Sequence, residues 1–302
     1  MIGRQLIGAL AALALVGVPL AAQDAARVDT TVALSRTGIV DISLISGTII
    51  VRGGAGEQAH VVASAASGSV YISSSGGMLR LGVRPGRSAG RGGENRFEVE
   101  VPRGVRVIAG GTSADVEVID TRGDVEVRST SGDITIVGAR NRVSASGTSS
   151  AVRIRDVEGV VRAGTVSGDL ELVDIVGGVE VSTVSGDLFV RGGRISDIAA
   201  ESVSGDIELA TRIEAAGRYE VRAHSGDILV RVDERAPLLL AVETFSGEID
   251  SALPAVMQPS TDGSRRSRRM ELAVGDAGAR SAPRLVLTTF SGDISIRRGG
   301  ER

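Results

Sequence analysis

One phrase, Ser-Gly-Asp followed by Ile or Leu, recurs through this chain and narrows the folds open to it. It stands at Ser131-Gly132-Asp133-Ile134, Ser167-Gly168-Asp169-Leu170, Ser185-Gly186-Asp187-Leu188, Ser204-Gly205-Asp206-Ile207, Ser225-Gly226-Asp227-Ile228 and Ser291-Gly292-Asp293-Ile294. Ser246-Gly247-Glu248-Ile249 is a near copy; Ser113-Ala114-Asp115-Val116 and Ser149-Ser150-Ala151-Val152 are degenerate ones. Taking the glycine slot as origin, the copies fall at 114, 132, 150, 168, 186, 205, 226, 247 and 292, in steps of 18, 18, 18, 18, 19, 21, 21 and 45. Recurrence at such a period marks a repeat architecture.

The flanks keep the same register. Seven residues before the origin stand Val107, Val125, Val143, Val161, Val179, Ile198, Tyr219, Leu240 and Leu285; two after it stand Val116, Ile134, Val152, Leu170, Leu188, Ile207, Ile228, Ile249 and Ile294. Positions between the apolar ones are mostly polar, as at Glu126, Arg128, Glu171, Glu180 and Glu208. Alternation with period two is the signature of a half-buried strand. Each repeat therefore holds two short strands, one on each side of the Ser-Gly-Asp turn, and a second, Gly-rich turn (Gly177-Gly178, Gly192-Gly193) leads onward. One such hairpin cannot bury its apolar face alone, whereas stacked copies can. The expected fold is an all-β, single-domain β-solenoid, β-helix-like, with coils of 18–21 residues spaced ~4.8 Å apart. A core that thin has little room for rings, which suits four Phe, two Tyr and no Trp.

Five segments follow. Residues 1–22 read as a secretory signal, with Arg4, an apolar stretch from Ile7 to Leu20 and the small pair Ala21-Ala22. Residues 23–106 read as irregular N-terminal coils and a cap, with the register legible around Gly47 and Gly68. Residues 107–251 form the regular solenoid. Residues 252–283 are a polar, Arg-rich insertion, and residues 284–302 the last coil and a polar tail that shields the final open strand edge. The body is expected to be exported, whether periplasmic, on the outer surface or secreted, with no transmembrane segment once the signal is removed. The absence of Cys excludes disulfides, thiolate metal sites and a lipoprotein anchor. A formal net charge of −3 implies no nucleic-acid partner.

The Ser-Gly-Asp units, preceded by Phe97-Glu98-Val99-Glu100-Val101-Pro102-Arg103-Gly104-Val105 and a signal-like start, resemble the bacterial putative-adhesin family of unknown function, a relative of auto-transporter-adhesin-like head domains. The resemblance covers roughly residues 35–297. It implies a β-solenoid in or beyond the cell envelope, and it carries no catalytic residues to transfer.

The acidic column Asp115, Asp133, Asp169, Asp187, Asp206, Asp227, Glu248 and Asp293 stacks like charges, so something must offset them. A calcium ladder through Asp133, Asp169, Asp187, Asp206, Asp227, Glu248 and Asp293 is one way. Capping by each Asp of its own turn amides, with the carboxylate facing water, is the other, and it is favoured by spacing unlike that of calcium-binding nonapeptides and by the break at Ala151. Apart from that alternative, no cofactor or metal is expected. Arg265, Arg266, Arg268 and Arg269 make an anion patch if they are not a solvated loop. His60 stands alone, and His224 occupies a slot held elsewhere by Val166, Val184, Val203, Phe245 and Phe290, which suits turn packing. Arg122-Gly123-Asp124 matches a cell-attachment tripeptide, read here as one more Gly-Asp turn.

These features indicate a non-catalytic exported module, an adhesin or cell-envelope interaction protein, whose partner is an envelope protein, glycan or surface polymer. A structural or sensory part in envelope stress is the alternative. A β-helical carbohydrate-active enzyme fits less well, because its chemistry needs clustered acids and here they are spread one per coil.

Overall fold

The computed structural model describes residues 26–86, 94–232, 237–253, 256–258, 268–274 and 282–299. The expected signal (1–22), Arg265, Arg266 and the last residues of the tail lie outside them. Among the described residues there are strands and no helix.

The array begins with β7 (Arg106–Ile119), β8 (Val125–Ser129), β9 (Ile134–Val137), β10 (Val143–Gly147), β11 (Val152–Glu158) and β12 (Val161–Ser167). It continues with β13 (Leu170–Ser185), β14 (Leu188–Ser204), β15 (Ile207–Ser225) and β16 (Ile228–Val232). Every pairing among these strands is parallel and in repeat register: Val107 opposes Val125, Val125 opposes Val143, then Val161, Val179, Ile198 and Tyr219 follow in line. The strands before the Ser-Gly-Asp corner form one wall and those after it the other. Their inward side chains, such as Val125, Val127, Ile134, Ile136, Leu170 and Leu172, are almost wholly buried between the walls. Burial of each such side chain contributes about 1.5–3 kcal/mol, and the next coil repeats it. The outward side chains pair across coils, as in Arg155–Glu171 (2.9 Å), Arg162–Glu180 (2.8 Å) and Arg191–Glu208 (2.9 Å).

The second turn differs from expectation. β13, β14 and β15 run through it without a break, and the Gly pairs are bulges: the β13–β14 register shifts at Gly177/Gly178, and the β14–β15 register between Arg191 and Arg194. A bulge bends a strand while keeping its ladder, so longer coils are absorbed here. Where the step grows to 21 residues, Tyr219 takes the apolar slot and is fully buried. Its hydroxyl donates to the Ile195 carbonyl (2.6 Å) and accepts from the Glu214 amide (2.7 Å), and burial pushes its pKa up. Phe97 is also fully buried, so the core takes a ring where the coils depart from 18 residues.

At the N-terminal end β1 (Arg27–Ala33), β2 (Ile39–Gly54), β3 (Gln58–Ser64), β4 (Ser69–Ser75), β5 (Met78–Arg84) and β6 (Arg96–Pro102) form the cap. β2 is a true coil: Val40 opposes Val107, Gly47 opposes Ala114 and Ile49 opposes Val116. On its other side β5 and β6 stack parallel to it. The strands around Gly68 do not form a coil. β3 lies antiparallel to β6 and β1, and β4 antiparallel to β5. Alternation of apolar residues reports a buried face and carries no strand direction, so the same pattern serves both.

The C-terminal end departs further from chain order. It comprises β17 (Leu238–Ser246), β18 (Ile249–Ser251), β19 (Val256–Gln258), β20 (Arg268–Val274), β21 (Arg284–Ser291) and β22 (Ile294–Arg298). β21 pairs with both β15 and β17, and β22 with both β16 and β18. The last coil in sequence thus lies between the two coils that precede it, so its strands do not form the terminal edge. That edge belongs to β17, which the antiparallel β20 of the Arg-rich insertion covers, with β19 beyond.

Candidate functional site: the Ser-Gly-Asp corner

The corner is built by contacts between coils. Gly168, Gly186, Gly205, Gly226, Gly292 and Gly247 hold φ between 147° and 159°, a region almost closed to other residues. A Cβ at Gly186 would stand 2.1 Å from the Gly168 carbonyl oxygen, and one at Gly205 the same distance from that of Gly186. The glycine column is therefore required by conformation and by the approach of the neighbouring coil. Just inside it, buried hydroxyls donate to the corner carbonyls: Thr165 to Ser150 O (3.2 Å), Thr244 to Gly292 O (3.1 Å) and Thr289 to Gly226 O (3.3 Å).

The acidic column is satisfied by the backbone. The Asp115 Oδ1 accepts the Asp133 amide (2.9 Å), Asp169 that of Asp187 (3.0 Å), Asp187 that of Asp206 (2.9 Å) and Asp206 that of Asp227 (2.8 Å). Asp227 takes the Asp293 amide and Asp293 the Glu248 amide, both at 2.8 Å. The capped amide belongs to the next coil, so each carboxylate joins two coils. Where Ala151 interrupts the column, its amide reaches Asp133 (3.3 Å), which also pairs with Arg153 (3.0 Å). Among the described residues, no three His, Cys, Asp or Glu side chains gather as a metal site.

Outside the glycines runs an exposed apolar ridge. In spatial order it comprises Val166, Val184, Val203, His224, Phe290 and Phe245, the last two 49% and 48% exposed. The His224 and Phe290 rings stack at 5.2 Å and 8°, and those of Phe290 and Phe245 at 4.9 Å and 4°. His224 therefore packs as a turn side chain, and the displaced coil order brings the three rings together. Sequence order placed Phe245 beside His224 and left Phe290 remote.

The family model of Toastrack DUF4097 matches residues 89–297, more than half of the chain. The chain belongs to this family. In a Toastrack protein the β-solenoid-like stack is the expected frame, and the expectation of a putative-adhesin family of unknown function is met. Among solved structures, a putative cell adhesion protein from Clostridium sporogenes is similar at 8% identity and TM-score 0.25, covering 90% of this chain and 99% of that one. A putative adhesin from Bacteroides fragilis is similar at 10% identity and TM-score 0.45, covering 89% of this chain and 96% of that one. No curated protein matches the chain.

The other predicted residues scatter over this Toastrack frame. The Arg268 backbone opposes Thr244, and Arg269 pairs with Glu271 (3.0 Å), so this part of the anion patch is a capping strand. The His60 Nε2 lies 2.9 Å from Asp29 Oδ1. Arg122-Gly123-Asp124 is built into the second corner. The Arg122 and Gly123 amides donate to Arg103 O (2.6 and 3.1 Å), and a Cβ at Gly123 would meet Val105 O at 2.2 Å. Two carboxylates on the walls stand out electrostatically. Hydrogen bonding to Arg106 is the largest influence on Glu126 and lowers its pKa despite partial burial. For Glu208, burial pushes upward, but Arg191 and Arg231 together outweigh it and hold the pKa below the usual range. No helix among the described residues is long and apolar enough to cross a membrane.

Sequence reasoning missed one feature of the second corner. Asp120, Asp156 and Asp174 have φ of 54°, 52° and 55°, and Gly138 and Gly192 have 73° and 67°. All five stand six residues after the glycine slot. Asp and Gly are residues that reach this left-handed region at low cost, so the recurrence of Asp or Gly at that position was the available signal.

Proposed function

We propose that this protein is a non-catalytic exported interaction module of the cell envelope that presents the Ser-Gly-Asp corner to an envelope protein, glycan or surface polymer. The observation that carries the reading is the ridge from Val166 to Phe245, six consecutive coils offering five half-exposed apolar side chains and the His224 ring, each beside an exposed serine. Contiguous exposed apolar surface on a soluble face marks interaction sites, and here it is regular to the coil. The acids beside it are occupied with backbone amides one per coil, which suits binding more than chemistry. The test is retention of residues 23–302 on envelope preparations, with ridge positions changed to Ser singly and then together. Each single change should weaken retention a few-fold, and the combined Val184, Phe290 and Phe245 variant should lose it. Full retention by the combined variant, or turnover of a glycan lost with one Asp substitution, overturns the reading.

A further inference from the structure

The second corner carries a separate feature. On the walls an arginine faces a carboxylate of an adjoining coil: Arg106–Glu126 (2.9 Å), Arg155–Glu171 (2.9 Å), Arg162–Glu180 (2.8 Å) and Arg222–Glu201 (3.2 Å). Arg194 and Arg212 break this pattern, as do Arg218 and Arg284, but only Arg194 and Arg212 line one cleft together. They are registered directly opposite each other on the parallel strands β14 and β15, both are exposed, and neither has an ion-pair partner among the described residues. Like charges directly opposed on neighbouring strands cost stability, and nothing in the packing of the corner compels that cost, because both side chains point to solvent.

The pair stands over a recess. Two consecutive glycines with positive φ, Gly192 (67°) and Gly193 (72°), bulge the strand there, and the β14–β15 register skips from Arg191 to Arg194. A Cβ at Gly193 would lie 2.1 Å from the Ile175 carbonyl oxygen, so the backbone sits tightly on the coil below. The result is an open cleft of about 670 Å³, within the range of small-ligand sites, about 300–1,000 Å³. Its floor is backbone, Ala210 and Thr211, whose hydroxyl is held by the Gly192 carbonyl (2.7 Å). Its charged lining is Arg194, Arg212, Arg231 and Asp174. Arg231 is engaged with Glu208 and Asp174 accepts the Gly193 amide (3.2 Å). Two guanidinium forks remain, carried on backbones one strand spacing apart, ~4.8 Å. Guanidinium forks match carboxylate and phosphate oxygens in pairs, and an oxyanion between them would relieve their repulsion.

We propose that this cleft binds a small ligand bearing a carboxylate or phosphate group, which Arg194 and Arg212 grip jointly. The site is on the corner opposite the ridge and does not depend on the ridge being an interaction face.

The test is calorimetric titration of residues 23–302 with trigalacturonate, with glucose 6-phosphate and with neutral maltotriose, at low and high salt. The wild type should bind one or both acidic probes in about the millimolar range or tighter, more weakly at high salt, and should not bind maltotriose. A preference between the two acidic probes identifies the carboxylate or the phosphate as the cognate group. R194Q/R212Q should lose at least tenfold in affinity, while R222Q, which removes a paired wall arginine, should bind as the wild type does. Without ligand, R212Q should melt no lower than the wild type, because it removes a repulsion. Absence of binding by both acidic probes, or unchanged binding in R194Q/R212Q with an intact strand spectrum, overturns the proposal.

Discussion

The two corners of each coil solve the same problem, reversing the chain, under opposite constraints. At the Ser-Gly-Asp corner the backbone is fixed by the next coil: glycine backbones approach until no Cβ fits, and the aspartates hold amides of the adjoining coil. At the second corner the strands run through bulges, and coils of 18, 19 and 21 residues coexist. One corner sets the register and the other absorbs the variation. A repeat protein gains surface diversity only where its stacking is permissive, which is why the cleft opens at the second corner and the uniform ridge at the first.

This contrast can be broken most severely by insertion. One residue added between Asp187 and Leu188 would turn the side chains of the following strand to the opposite face, and the expected outcome is loss of cooperative folding by circular dichroism. One residue added after Gly178, where the register already shifts, should leave a folded protein melting within several degrees of the wild type. Alanine at Gly186 comes next. With φ at 152° and the Gly168 carbonyl oxygen 2.1 Å from the new Cβ, denaturant unfolding should show a loss of about 3 kcal/mol or more. Alanine at Gly178, which would meet nothing within 4 Å, should stay within about 0.5 kcal/mol. Asp206→Ala removes one link between coils and leaves the Asp227 amide to water. The expected cost is about 1 kcal/mol, and hydrogen exchange at that amide should quicken.

The smallest effect concerns pH. Glu126 and Glu208 have pKa values lower in the folded protein than when unfolded. Their contribution is therefore complete above the unfolded carboxylate pKa and disappears as pH falls through the folded values. The melting temperature should decline on acidification in that range, and Glu208→Gln should flatten the decline. An equal decline in the variant would remove Glu208 from the account.

Much of this was legible in the sequence. The apolar slots named the core columns directly, because a buried two-wall stack tolerates few residue types at Val125, Ile134 or Leu170. The Asp column was read as each Asp capping the amides of its own turn, whereas the capped amide lies in the neighbouring coil, since in a stack adjacent coils are nearer to a side chain than much of its own. Strand direction was not legible: β3 and β4 carry the same alternation as a coil and run antiparallel. Nor was the order of the last coils, because repeats with identical register fit either slot equally well. The ring stack of His224, Phe290 and Phe245 was hidden for that reason, and the Arg194–Arg212 pair because bulges set its register.

A stack of identical coils is usually a nearest-neighbour system, able to grow or fray from either end. The placement of β21 and β22 changes that. When synthesis has reached residue 251, the coil of β17 and β18 has no finished neighbour, since its partner surface is encoded beyond residue 283. These later strands thus act as a keystone. They convert the C-terminal coils from an additive series into one all-or-none unit, and a chain shortened from its end loses the bond between three coils rather than a single terminal one.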